Sequence, residues 1–353
     1  MDSQKILEAA ADYFDPLLGR KLGEAGVELR LAGSKLQVRL GFPASGHRQA
    51  LAAALREHLR TTAADVDVVV DWAVAPQAVQ KGLQPLPGVK NILAVASGKG
   101  GVGKSTVAVN LALALAAEGA RAGILDADVY GPSQPIMLGT RQRPSSPDRK
   151  HLHPVRAHGL QAMSLGFLIE SEAQPAVWRG PMATQALTQM LNDTLWEDLD
   201  YLVIDLPPGT GDIQLSLAQR VPVAGSLIVT TPQDIALLDA RKGLEMFRKV
   251  GIPVLGIVEN MSTHVCSRCG HEEAIFGAGG GEKLAREAGT ELLGQIPLDI
   301  RIREQADGGQ PTVSAEPDSP LARRYREIAR KAAARLAYGE PAGAFPTIEI
   351  VDD

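Results

Sequence analysis

The chain has 353 residues, 45% of them hydrophobic, and a formal net charge of −5. That length admits two domains and a large core, and the apolar content excludes a disordered chain. Acids and bases are mixed without a strong basic run, and the longest apolar stretches are of strand length or belong to amphipathic helices, so neither nucleic acid nor a membrane is expected as a partner.

The first ten residues carry charge and no long apolar run, so no secretory signal is expected and the expected location is cytoplasmic. Residues 1–74 read as a small α/β unit. Within it, 4–14 has apolar residues at helical spacing, and 27–31 and 36–40 alternate as strands joined by Ala32, Gly33 and Ser34. An Ala/Leu helix follows at 46–59, then a β-branched strand at 66–72. Residues 75–90, with Pro, Gln and Gly, read as a linker. From 91 to 339 short apolar runs (91–96, 122–126, 201–205, 226–230, 254–259) alternate with helical patterns (104–120, 182–191, 213–219, 235–250). This predicts an α/β fold with a doubly wound, mostly parallel sheet covered on both faces. Residues 140–153 read as an exposed Arg/Pro-rich loop of no assigned function, 321–338 as a basic terminal helix, and 340–353 as a loosely held acidic tail.

The most informative stretch is Gly98-Lys99-Gly100-Gly101-Val102-Gly103-Lys104-Ser105-Thr106. It fits the phosphate-loop pattern G-x-x-x-x-G-K-[ST] between a buried strand and a helix, where backbone N–H groups curl round a polyphosphate. Lys104 would reach the β- and γ-phosphates of ATP, and Ser105 would hold Mg²⁺. The bland alternative is an ordinary glycine-rich strand-to-helix turn.

Two acidic segments end strands on the ligand-binding side expected of such a sheet. In the first, Asp126 and Asp128 stand two apart; Asp128 is assigned to the attacking water and Asp126 to the metal environment. The competing reading is a helix cap or Asx-turn pair. In the second, Asp205 ends a strand and would meet the Mg²⁺ shell, while Gly209, after Pro207 and Pro208, can offer its N–H to a γ-phosphate. The competing reading is a proline-broken strand exit.

Lys99 to Thr106, the Asp126-x-Asp128 pair and Asp205-Leu206-Pro207-Pro208-Gly209 resemble the deviant-Walker ATPases, which include MinD, ParA and the nitrogenase iron protein. Asp126 to Ser133, Asp205 to Asp212, Trp178-Arg179-Gly180-Pro181-Met182 and Val258-Glu259-Asn260-Met261-Ser262 resemble the Mrp (ApbC) iron–sulfur cluster carriers within that group. The likeness spans nearly all of 91–338. Asp15-Pro16-Leu17-Leu18-Gly19 resembles, more weakly, a small iron–sulfur-assembly domain often fused in front of such carriers. The resemblance implies a homodimer with slow ATP hydrolysis. In it Lys99 reaches the partner's nucleotide and Asn260 contacts adenine, so Lys99, Lys104 and Asp128 are the expected catalytic residues. The bland reading of Lys99 is a solvated loop lysine.

The two cysteines of the chain, Cys266 and Cys269, form a C-x-x-C pair between His264 and His271 in what reads as a polar loop. Such a pair can place two thiolates on one metal centre. A four-cysteine cluster needs two more ligands, which a symmetric dimer supplies; the carriers that the chain resembles hold a bridging [4Fe–4S] cluster in this way. The expected partners are then cluster donors and apoproteins that receive the cluster. Zinc held with the two histidines or across a dimer, a redox dithiol and two inert cysteines compete. A positioning ATPase like MinD or ParA is the rival for the whole chain. It would use an amphipathic or basic surface, for which Arg323, Arg324, Arg326, Arg330, Lys331 and Arg335 are available. An electron-transfer ATPase like the nitrogenase iron protein is a further rival.

Overall fold

The computed structural model describes residues 3–61, 66–168, 180–266 and 268–339. The expected acidic tail, and Trp178 and Arg179, lie outside them. The N-terminal unit comprises α1 (Ser3–Ala11), β1 (Phe14–Asp15), β2 (Arg20–Lys21), β3 (Glu28–Ala32), β4 (Lys35–Leu40), α2 (Arg48–Leu59) and β5 (Asp67–Trp72). In β4, Leu36, Val38 and Leu40 are buried at period two, the pattern of a sheet with one face on the core. β4 pairs antiparallel with β3 and parallel with β5, and α2 packs against β5. No helix or strand occupies 73–88, whereas the last two residues of the 75–90 stretch expected as a linker begin the next strand at Val89.

The second unit follows in the order β6 (Val89–Ala96), α3 (Lys104–Ala117), β7 (Ala122–Asp126), α4 (Gln134–Met137), β8 (Val155–Ala157), β9 (Leu160–Ser164), α5 (Gly180–Asp193), β10 (Leu199–Asp205), α6 (Asp212–Arg220), β11 (Gly225–Thr230), α7 (Asp234–Lys249) and β12 (Val254–Val265). It ends with β13 (Glu272–Glu273), α8 (Gly280–Glu287), β14 (Leu292–Leu298), α9 (Ile300–Asp307), α10 (Thr312–Ala315) and α11 (Pro320–Tyr338). Among the described residues nine strands form one sheet, in the order β13-β12-β11-β6-β10-β7-β9-β8, with β14 also on β12. β14, β12, β11, β6, β10, β7 and β9 run parallel, and β8 and β13 are antiparallel additions. The expected doubly wound sheet is present. Chain order reverses around β6, which places the loop after β6 in the ligand-binding crevice of such sheets.

Two apolar layers cover the sheet. One, with α5, α6 and α7, includes Leu187, Leu217, Leu244 and Phe247. The other, with α3 and α11, runs without a break into the N-terminal unit through Leu36, Val38, Phe42 and Leu55. Glu118, fully buried at the end of α3, holds this junction. It accepts hydrogen bonds from the Gly46 N–H (2.7 Å), Arg326 Nε (2.7 Å) and Arg330 Nη1 (2.8 Å). The Tyr338 hydroxyl accepts from the Gly41 N–H at 2.7 Å, and its ring meets Phe42 edge-on. The basic terminal helix is therefore part of the core. α11 buries Leu321, Tyr325, Ile328, Ala329 and Ala332 against α3 and β14, so its apolar face is already covered. Among the described residues no helix is long and apolar enough to cross a membrane.

Candidate nucleotide site and cysteine knuckle

The loop after β6 is shaped by close packing as well as by glycine freedom. A Cβ on Gly98 would lie 2.1 Å from the Asp239 carbonyl carbon in α7, so only glycine lets the loop pass there. Gly103 has φ +79° as the first residue before α3, and a Cβ on it would lie 2.2 Å from Asn260 Nδ2. α3 thus points its positive N-terminal end into the loop, the arrangement that binds phosphate.

Lys104 and Asp205 meet as an ion pair in the buried floor of this site, with relative exposures of 6% and 0%. Lys104 Nζ also lies 3.3 Å from Ser105 Oγ. Asp126 is the register partner of Asp205 on the neighbouring strand, so two buried carboxylates face one interior. Burial, with the Asp205 charge second, pushes the Asp126 carboxyl up to about 7. Its oxygens serve the following loop: they accept from the N–H groups of Asp128 (3.1 Å), Ser133 (3.0 Å) and Gln134 (3.1 Å), and from Ser164 Oγ (3.0 Å). Asp128 is half-buried and caps its own turn, accepting from the Tyr130 and Gly131 N–H groups at 3.3 Å. Burial holds its carboxyl above the ordinary range against the pull of Lys104.

Other expected residues are engaged in ways the sequence did not indicate. The Gly209 N–H donates to the Ser97 carbonyl at 2.9 Å. The Asn260 amide donates to the Val102 carbonyl at 2.8 Å, so the strand carrying Asn260 is pinned to the phosphate loop. Lys99 is half-buried, and among the described residues no hydrogen bond or ion pair uses its ammonium. Gln134, a residue that sequence reasoning missed, is fully buried beside Asp205. Its amide oxygen has no hydrogen-bond partner among the described residues. Oxygen donors at Ser105 and Asp205, with this orphaned acceptor nearby, suit a hard, largely hydrated cation such as Mg²⁺.

The cysteines sit in a loop as expected, but it is shorter than the sequence suggests, because β12 continues beyond Asn260 and the loop closes a hairpin. β12 runs to Val265, past a register shift after Asn260, where Met261 has φ +55°. β13 returns antiparallel, with Val265 opposite Glu272. Between them the Cys266 N–H donates to the His271 carbonyl and the Gly270 N–H to the Cys266 carbonyl, both at 2.9 Å. The backbone N–H of Arg268, then that of Cys269, then the Cys269 thiol bond the Cys266 sulfur and lower its pKa below the ordinary thiol range. Cys266 is half-buried and Cys269 exposed. Among the described residues no three His, Cys, Asp or Glu side chains converge as a metal site. His264 turns to the Leu298 carbonyl (3.3 Å).

Comparison with known proteins agrees with this geometry. The family model described as "ParA: NUBPL iron-transfer P-loop NTPase" matches residues 88–333. The chain belongs to this family. An iron-sulfur cluster carrier protein of Pseudomonas fragi is 62% identical over 264 residues, 74% of this chain and 92% of that relative. The mouse iron-sulfur cluster transfer protein NUBPL is 51% identical over 265 residues, 74% and 83% of the two chains. Among solved structures, a nucleotide-binding protein from Archaeoglobus fulgidus in complex with ADP shares 36% identity at a TM-score of 0.58, covering 67% of this chain and 91% of that one. A MinD from Pyrococcus horikoshii, 22% identical at a TM-score of 0.51 over 68% and 94% of the two chains, shares the fold. The NUBPL-family match covers the loop, both acidic strands and the cysteine hairpin, and leaves the N-terminal unit outside it.

Proposed function

We infer that this protein is an ATP-binding carrier of iron–sulfur clusters. A labile [4Fe–4S] cluster is its cargo, held between two copies by Cys266 and Cys269 of each and delivered to apoproteins after loading from a donor. The observation that carries this reading is the knuckle: two cysteines on a solvent-facing turn, one sulfur with its pKa lowered by N–H groups, and no third His, Cys, Asp or Glu converging on them among the described residues. Half a site of this kind is completed by a second copy. The names of the bacterial and mouse relatives support the cargo.

At the nucleotide site Lys104 would exchange Asp205 for the β- and γ-phosphates of ATP. Ser105 and Asp205, with Asp126 behind them, would hold Mg²⁺, which screens the phosphate charge. Asp128 would orient the attacking water, and Lys99 would reach the nucleotide of the second copy. Gly209 would turn its N–H from Ser97 to the γ-phosphate, and Asn260 would border the adenine. Hydrolysis is expected to be slow, in the cytoplasm, and coupled to cluster handling through the shared dimer face.

The test is anaerobic cluster reconstitution of the wild type and the Cys266→Ser/Cys269→Ser variant, reading iron, sulfide, zinc and oligomeric state. A brown dimer with about four irons per two chains, lost in the variant, is the expected result. A colourless protein that keeps zinc, or a variant that still binds iron, would overturn it and leave a nucleotide switch with a structural metal.

A further inference from the structure

Gln134 has no role in the reading above, yet it is buried at the centre of the nucleotide site. Its backbone N–H donates to Asp126 Oδ2 at 3.1 Å. Its Nε2 donates to Asp205 Oδ2 at 2.9 Å and to the Ser105 carbonyl at 3.2 Å. One residue therefore ties the acids of both strands to the residue that follows Lys104. The orientation of the amide is forced. Both neighbours of Nε2 are acceptors only, a carboxylate and a carbonyl, so the NH₂ group must face them. The amide oxygen is then turned the other way, within the same interior. Gln134 is 0% exposed, and that oxygen has no partner among the described residues. An acceptor orphaned this deeply costs stability unless a donor arrives.

We propose that Gln134 is a positioning residue for the divalent cation of the nucleotide site: its Nε2 holds the Asp205 carboxylate in place, and its Oε1 accepts a hydrogen bond from a metal-bound water. The contacts of Asp205 and the chemistry of the cation support both halves. Asp205 is bonded on one oxygen by Lys104 and on the other by Gln134. When Lys104 turns to phosphate, Gln134 is, among the described residues, the side chain left to orient that carboxylate. A hard cation that keeps several of its waters brings the O–H donors that the orphaned oxygen lacks. Residues that orient metal ligands in this way typically contribute 10–100-fold to metal affinity.

The proposal rests on the nucleotide half of the reading above and is indifferent to the cargo. The experiment uses the full-length protein with ADP and Mn²⁺, whose binding is followed by electron paramagnetic resonance; ADP affinity is measured separately in EDTA. For Gln134→Leu, ADP affinity in EDTA stays within about twofold of wild type, while Mn²⁺ affinity in the ADP complex falls about 10–100-fold. Should the leucine variant not fold, Gln134→Met, of similar length and without hydrogen-bonding groups, carries the same expectation. Wild-type Mn²⁺ affinity in a folded variant would overturn the proposal. So would an equal loss of ADP affinity in EDTA, which marks a role in shaping the loop rather than the metal site. A wild type that binds ADP but no Mn²⁺ would overturn it too, while leaving the cluster reading standing.

Discussion

The phosphate loop and the cysteine knuckle are joined by one strand and built on opposite plans. Asn260, midway along β12, is bonded to the loop, and Cys266 follows the last residue of that strand. At the loop, Asp126, Asp205 and Gln134 are buried, and both carboxylates are bonded by neighbours from distant parts of the chain. At the knuckle the hydrogen bonds are local, and one thiol is exposed. A site whose groups are pre-positioned before its ligand arrives suits a nucleotide that must be oriented for chemistry. An open site with local hydrogen bonds would suit a ligand that has to leave again, as proposed above. The difference teaches that order in this protein is concentrated at the phosphate loop, where buried groups are tied together from distant parts of the chain, and is sparse at the cysteine turn.

Four changes break or sharpen that contrast. The largest effect is expected for Cys266→Ser/Cys269→Ser: complete loss of reconstituted cluster, with ADP affinity and melting temperature near wild type, read by iron analysis and calorimetry. Next, Lys104→Ala leaves Asp205 buried without its cation. In nucleotide-free protein at neutral pH it should lose about 3 kcal/mol in urea unfolding, the scale for breaking a buried pair, and ADP binding with it. Gly98→Ala drives a Cβ into the Asp239 backbone, and overpacking of this kind costs about 1–3 kcal/mol; ADP binding should weaken in the same titration.

The shallowest effect, because it is spread over several pH units, is the slope of stability with pH. The Asp126 carboxyl is raised to about 7 in the folded protein by burial and by Asp205. The folded state therefore keeps a proton that the unfolded chain has released, from the ordinary carboxylate range up to that value. Its contribution is present in acid and is lost as pH rises through about 7, by at most about 1.4 kcal/mol per pH unit. Asp126→Asn should flatten this part of the curve for nucleotide-free protein. An unchanged slope would show that Asp126 does not keep its proton in the folded state.

The loop, the order of strands and helices, and the paired acids were legible because each is a local pattern: glycines at fixed spacing, apolar runs ending in Asp126 and Asp205. What escaped is held by distance in the sequence. Gln134 follows directly on the stretch Asp126 to Ser133, but its meaning lies in Asp205, 71 positions on. Glu118 looks like an ordinary helix-end acid until Arg326 and Arg330, more than two hundred positions away, turn toward it. The far half of β12, Met261-Ser262-Thr263-His264-Val265, reads as a polar loop. It is a strand because β14 lies beside it and Ser262 Oγ donates to the Ile296 carbonyl at 3.2 Å. The arginines of α11 suggested an available basic surface; two of them instead neutralise a carboxylate inside the fold.

The bond between Gly41 and Tyr338 spans 297 positions of chain. On a ribosome adding about 5–20 residues per second, some 15–60 s separate the emergence of its two ends. Through that interval Phe42 waits without the ring it meets, and the Gly46 N–H waits without Arg326 and Arg330 beside its acceptor. A segment made early relative to its partner is thus finished late, and a chaperone meeting the nascent chain would find its apolar seam beside Phe42 and Trp72.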